Sequence, residues 1–272
     1  MGHSGTGFID RNGEISLPMR FKGIGHFHEG LCAIGRDLQL GVIDHIGQWV
    51  IEPRFLILSS FAQGLAFASV DGISIGYIDR LGNFVVEPRF ETAHRFSDGL
   101  AAVRRRSLWG YIRGCGSIAI AFQFDGPCAY PFVAGLAGVC SDGSWGFIDS
   151  LGNWVVRPQF EAVQNFAEGL APVCKENKWG FLTPNGEIAV PCKYDKLGVL
   201  DCGMAPAKVA GRAGYVSRWG DWAIEPRFED CYRFVGDLAV AVTGNRYCYL
   251  RRDGEVVWSS EPLASVQYPP VL

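Results

Sequence analysis

The stretch WGFIDSLGNWVVRPQFEAVQNFAEGLAPV occupies residues 145–173, and from Trp179 the chain runs again as WGFLTPNGEIAVPCKYD. In both, a glycine follows the tryptophan, a second glycine stands six residues on, and an aromatic comes eight beyond that. Aligned on the first of these glycines, the chain gives Gly7, Gly41, Gly76, Gly110, Gly146, Gly180 and Gly214, with Cys248 in the eighth place. The intervals are 34, 35, 34, 36, 34, 34 and 34 residues. Spacing this regular marks a repeat architecture, in which one short unit cannot bury a core and stacked neighbours can.

Linked positions recur in the same frame. The second glycine is Gly13, Gly47, Gly82, Gly116, Gly152, Gly186, Gly220 or Gly254. An aromatic stands fourteen after the anchor at Phe21, Phe55, Phe90, Phe124, Phe160, Tyr194 and Phe228, whereas the eighth unit has Pro262 there. A second aromatic usually follows six later, at Phe27, Phe61, Phe96, Phe166 and Phe234, with Tyr130 or Phe132 in the fourth unit and Leu200 in the sixth. Each unit then reaches a segment such as GLAAV from Gly99 or GLAPV from Gly169. There apolar residues alternate with small or polar ones, the period of a strand buried on one face.

Each unit therefore reads as three strands: G-L-A-x-V, then W-G-F-I-D, then W-V-I-E-P. Counted along the chain, there are eight second strands, eight third strands and seven clear first strands. DRNG, DHIG, DRLG, DSLG and TPNG join the second strand to the third, each ending on a glycine suited to positive φ. Asp10, Asp44, Asp79 and Asp149 open such turns and are expected to bond forward to backbone N–H groups rather than to do chemistry. Proline after the third strand, at Pro18, Pro53, Pro88, Pro158, Pro191 and Pro226, ends or edges the pairing. The remaining stretch, as in RFETAHRFSDG, fits either a short fourth strand or one helical turn. Its aromatics are expected to plug the gap between adjacent units.

Composition agrees with an all-β chain: of 272 residues, 35 are glycine, 13% are aromatic and 48% are hydrophobic. A formal charge of -3 argues against a nucleic-acid partner held by phosphate contacts. Arg104-Arg105-Arg106 is a short basic run expected to be a solvated strand edge. No apolar run is long enough to span a membrane, and no secretory leader opens the sequence, so membrane insertion is not expected and the expected setting is cytoplasmic. The nine cysteines lack a paired zinc spacing and are expected to be free thiols serving as small buried hydrophobes.

In a repeat protein, catalytic residues stand out as departures from the periodic pattern. There is no G-x-S-x-G elbow, no H-E-x-x-H and no phosphate-binding loop ending in Gly-Lys-Ser or Gly-Lys-Thr. His3, His26, His28, His45 and His94 fall in the first third; His26 and His28, which would share a strand face around Phe27, are expected to be solvated loop residues, the alternative being a metal-ligand pair. Catalytic, cofactor-binding and metal-binding residues are accordingly none, and the chain is not expected to be an enzyme.

Two columns bear on binding. A basic or amide residue precedes the first aromatic at Arg20, Arg54, Arg89, Gln123, Gln159, Lys193 and Arg227. It is expected to pair with Glu52, Glu87 and Glu225 inside the E-P-R triplets, the alternative being a guanidinium row for an anionic partner. The third-strand column of Trp49, Phe84, Trp154 and Trp222 also contains Ile15, Ile118, Ile188 and Val256, which points to packing rather than to a sugar-binding platform.

The recurring W-G-F-I-D, G-x-W-V-I-x-P-x-F and G-L-A-x-V segments resemble the WG β-repeat family, including its K-W-G variant at Lys178-Trp179-Gly180. The resemblance covers residues 7–260 and departs in the fourth unit, with Arg113 for the turn Asp and Phe122 for Pro, and in the eighth at Cys248. It implies an all-β protein of tandem 34-residue antiparallel β-repeats and carries no common catalytic residues. The expected organisation is one repeat domain over residues 1–260 with a tail at 261–272, forming an open, twisted, solenoid-like array because the last unit is incomplete. The alternative is a closed β-propeller-like ring. The expected role is a noncatalytic scaffold for a protein partner, with binding of a carbohydrate or anionic cell-surface polymer, or an enzyme with an unrecognised site, as alternatives. No cofactor is expected.

Overall fold

The computed structural model describes residues 6–9, 15–21 and 25–261, all without an α-helix. Strands Thr6–Ile9 and Ile15–Phe21 form a two-stranded sheet. Six four-stranded sheets and one three-stranded sheet follow, every neighbouring pair antiparallel and in chain order. Sheet 1 comprises Phe27–His28, Leu31–Arg36, Gln39–Asp44 and Trp49–Phe55. Sheet 2 comprises Ile57–Leu58, Ala66–Ser69, Ile75–Ile78 and Phe84–Phe90. Sheet 3 comprises Thr92–Ala93, Leu100–Arg105, Leu108–Arg113 and Ile118–Phe124. Sheet 4 comprises only Leu136–Ser141, Ser144–Asp149 and Trp154–Phe160. Sheet 5 comprises Ala162–Val163, Ala171–Lys175, Lys178–Leu182 and Ile188–Tyr194. Sheet 6 comprises Lys196–Leu197, Met204–Val209, Arg212–Ser217 and Trp222–Phe228. Sheet 7 comprises Asp230–Val235, Leu238–Thr243, Arg246–Leu250 and Val256–Ser259.

The three expected strands of each unit are present, and the undecided stretch is a fourth strand, two residues long in sheets 1, 2, 3, 5 and 6. Sheet 4 lacks it. Its counterpart segment carries Pro127 and Pro131, and each removes a backbone donor that an added strand would use. A four-stranded antiparallel sheet is the unit that β-propellers repeat radially. The chain divides by proximity into two compact units. One, up to Gly135 with Ser150–Gly152, holds the two-stranded sheet and sheets 1–3; the other, Leu136–Asp149 with the chain from Asn153, holds sheets 4–7.

Why the anchor must be glycine follows from register. In sheet 4, Trp145 faces Phe160 but Phe147 faces Val156, so the third strand bulges where Arg157, Pro158 and Gln159 cross the anchor. A Cβ at Gly146 would lie 2.4 Å from the Val156 carbonyl oxygen, closer than any side chain tolerates. In sheet 7 the anchor is Cys248, and Cys248, Tyr249 and Leu250 pair with Ser259, Trp258 and Val256 with only a small shift. Without the wide bulge, a side chain fits.

The aromatic columns interlock successive sheets. Phe55, Phe90, Phe124, Phe160, Tyr194 and Phe228 are all buried. Tyr77 of sheet 2 meets Phe96, which leads into sheet 3, at 4.9 Å between ring centroids, and Tyr215 of sheet 6 meets Phe234 of sheet 7 at 4.9 Å. Phe132 takes this position in the fourth unit, 4.8 Å from Tyr111, and is fully buried, which resolves the choice between it and Tyr130. The expected plugging between units is what these pairs do. Each fully buried Phe or Ile contributes about 1.5–3 kcal/mol, so the columns carry much of the stability.

Candidate binding surface

The arginine column does not pair within its own triplet. Arg54 Nη2 donates to the Gly82 carbonyl at 2.6 Å, Arg89 Nη2 to that of Gly116 at 2.8 Å, and Arg227 Nη2 to that of Gly254 at 2.5 Å. Lys193 Nζ reaches the Gly220 carbonyl at 3.3 Å. Each acceptor is the turn glycine of the following repeat, so the cation staples one repeat to the next. It also lies over the ring that follows it, as with Arg89 5.3 Å from the Phe90 centroid. The expected pairing with Glu52 is replaced by an exposed bridge from Arg36 at 2.6 Å. The E-P-R spacing misled because the bulge carries the Arg head toward the next turn. Arg20 lies where side chains are not described.

A second row joins the G-L-A turns. Residues Glu29 and Gly30, or Asp98 and Gly99, both take positive φ, the two-residue turn that matches strand twist. Glu29 accepts from the Gln63 and Gly64 amides of the next turn at 2.7 and 3.1 Å, and from Arg80 Nη2 at 2.8 Å. Those bonds, the Arg80 one foremost, hold the Glu29 carboxyl below its ordinary value. Gln63 Oε1 accepts from Gly99 at 3.0 Å, Asp98 from Gly135 at 2.9 Å, and Glu168 from Gly203 at 2.9 Å. Sequence reasoning passed over this row because its members share only a polar acceptor, not a residue type.

The turn aspartates behave as expected. Asp79 Oδ1 accepts from Leu81 and Asn83 at 2.9 Å each, and Asp44 Oδ1 from Ile46 at 3.0 Å and Gln48 at 2.9 Å. Asp10 lies outside the described residues. These bonds fix a turn whose next-to-last side chain points outward: Ile46, Leu81, Leu151 and Trp219 are 55%, 75%, 78% and 74% exposed. Cys115, Asn185 and Asp253 occupy the same place in other turns. Apolar side chains at an exposed, hydrogen-bonded tip gain nothing by folding, and here they recur at one position of the repeat.

Other expectations divide. Trp49, Trp154 and Trp222 are half-buried, and Trp222 stands edge-on to Tyr194 of the preceding sheet at 5.8 Å, so they pack between repeats. Ile15, Ile118, Ile188 and Val256 of that column are exposed instead, because an aliphatic chain is too short to reach the neighbouring ring. In the basic run, Arg105 lies 4.4 Å from the Phe122 ring centroid, and Glu91 caps the turn by accepting from the Arg106 amide at 2.6 Å. His94 is half-buried 5.3 Å from Trp109, and burial lowers its pKa.

None of the nine cysteines is in a disulfide, and their burial is mixed. Cys32, Cys140, Cys174, Cys231 and Cys248 are buried, whereas Cys115 and Cys202 are exposed in turns. Burial pushes the Cys231 thiol up to about 12, and a hydrogen-bonding contact with Ser117 at 3.2 Å draws Cys115 down. Among the described residues no group of three potential metal ligands converges, and no helix is long and apolar enough to cross a membrane.

The WG containing repeat matches the chain seven times, over residues 7–35, 41–72, 75–109, 109–145, 145–179, 179–212 and 214–247. No curated protein matches it in sequence. Among solved structures, Kluyveromyces lactis Hsv2 aligns at 8% identity over 86% of this chain and 96% of its own, with a TM-score of 0.52. A eukaryotic initiation factor aligns at 11% identity over 86% of this chain and 74% of its own, with a TM-score of 0.56. At these identities the likeness is one of fold alone. Seven matches in register with the anchor glycines, on sheets built as their motifs require, make the chain a member of the WG containing repeat family.

Proposed function

We propose that this protein is a noncatalytic protein-interaction scaffold that presents the apolar tips of its second-to-third-strand turns to a partner. The observation that carries the reading is the recurrence of exposed Ile46, Leu81, Leu151 and Trp219 at one position of the repeat. Their turns are held by side-chain acceptors before any partner arrives, and such preorganisation lowers the ordering cost of association. A guanidinium row for an anionic polymer is disfavoured, since Arg54, Arg89 and Arg227 are engaged with turn carbonyls. A cytoplasmic setting suits the exposed thiols Cys115 and Cys202.

The reading is tested by placing a photocrosslinking phenylalanine derivative at Leu81, at Leu151, or at Arg106, which sits at the other end of the strands of sheet 3. Irradiation in the native cell is expected to give the same discrete protein adduct from both leucine positions and none from Arg106. No adduct at either tip, or equal adducts at all three, overturns it.

A further inference from the structure

Sheet 6 breaks the pattern of its neighbours at two facing places. The backbone N–H directly after the short strand makes the same bond in four sheets: Ser59 to Phe67, His94 to Ala102, Gln164 to Pro172 and Gly198 to Pro206, at 2.8 to 3.0 Å. The residue before the anchor likewise makes the same cross-strand pair: Trp109 with Phe124, Trp179 with Tyr194, Ala213 with Phe228; in sheet 2 the residue before the anchor is Ile75, paired with Phe90. Sheet 3 therefore carries His94 against Trp109, and sheet 5 carries Gln164 with Trp179. Sheet 6 carries Gly198 with Ala213.

The loss of both bulky side chains leaves a cavity of about 270 Å³ between sheets 5 and 6 and the start of sheet 7. Trp179, Leu197, Pro206, Ala213 and Cys231 line it, with Gln164, Lys196, Lys208 and Asp230 also on its wall; Gln164 Nε2 is engaged, donating to the Leu197 carbonyl at 3.0 Å. Trp179, on the cavity wall, is half-buried, whereas Trp109 and Trp145 are 2% and 8% exposed. The buried Cys231 thiol stays protonated and presents an apolar wall. Lys196 stands 3.8 Å from Asp230, and Lys208 Nζ donates to the Glu229 carbonyl at 2.5 Å, so the polar groups are charged and oriented around an apolar interior. Apolar surroundings with a few placed polar groups, in a volume just under the roughly 300 to 1,000 Å³ typical of drug-sized ligand sites, suit a ligand smaller than those.

We propose that this cavity binds a planar aromatic group of indole size, which takes the place that the tryptophan of the column fills in sheets 3 and 5. The ring stacks on or meets the edge of Trp179, and aromatic pairs of this kind contribute beyond the area they bury. Lys196 and Lys208 favour a neutral or anionic substituent over a cationic one. The inference is independent of the partner surface proposed above, because it uses none of the turn-tip residues. The same aromatic chemistry arrives either as a free small molecule or as a tryptophan side chain of a peptide.

The test titrates the ¹⁵N-labelled full chain with indole, indole-3-acetate and N-acetyltryptophanamide, following the indole N–H cross-peaks, with that of Trp179 assigned by W179F. A saturable shift of the Trp179 peak, with the Trp49 and Trp109 peaks unmoved, is expected for indole. The A213W variant is expected to abolish that shift, weakening binding by at least about tenfold, and its remaining cross-peaks report whether it folds. If A213W does not fold, A213F serves as the smaller plug. Saturation by the amide identifies a peptide side chain as the source, and saturation by indole and indole-3-acetate alone identifies a free small molecule. No saturable shift in the wild type, or an undiminished one in the folded plug variant, overturns the proposal.

Discussion

A single residue decides more in this fold than its size suggests. Gly152 closes the DSLG turn with φ of 88°, and a Cβ there would lie 3.1 Å from Cγ2 of Ile120. Replacing it by valine combines a disfavoured backbone region with a crowded neighbour, and is expected to cost about 1–3 kcal/mol in chemical denaturation. An unchanged midpoint would contradict this account of the turn. Glycine at this position and at the anchor could be recognised from spacing alone, yet for different physical reasons that spacing did not separate. One needs φ, the other needs the absence of a Cβ beneath a bulged strand. The arginines show the opposite case. Their type and register were legible, but their partner was not, because the bulge that redirects them is a property of the paired strands.

At the scale of the element, the unit of stability is the sheet together with the turn of the next one. The Glu29 carboxylate illustrates this, since it joins its own turn to the amides of Gln63 and Gly64. Its pKa is depressed on folding, chiefly by Arg80. A depressed carboxylate stabilises above its unfolded pKa and loses that contribution as pH falls through the lower folded value. The melting temperature of the wild type should therefore exceed that of E29Q at neutral pH, and the gap should narrow as pH falls below the ordinary carboxylate range. Melts of both proteins across that range check the sign. A gap that widened on acidification would show that the carboxylate is not the group holding the turns together. The short fourth strand belongs to this scale too. Two residues of strand have no periodicity to read, and only pairing with the G-L-A segment reveals them.

For the molecule as a whole, thiol chemistry reports where the interlocked cores lie. Cys115 and Cys202 are exposed in turns, whereas Cys32, Cys231 and Cys248 sit in packed sheets with burial holding Cys231 and Cys32 high. Alkylation of the native protein, mapped by mass spectrometry, should modify Cys115 and Cys202 first, with Cys115 ahead because its thiol is drawn down by Ser117. Cys32 and Cys248, the two most deeply buried, should label only under denaturing conditions. Early labelling of the core thiols would mean that these sheets open locally. The sequence by itself determined the repeat, its length, the order of its strands, the turns and the aromatic columns, because each of these follows from periodicity and local backbone preference. Only the tertiary structure decided what the side chains between those columns do. The arginines staple repeats, the polar turn residues form a row, the leucine and tryptophan tips stand exposed, and the Gly198 and Ala213 places leave a cavity. These depend on which neighbours meet across the gap between sheets, and a one-dimensional pattern does not specify that distance.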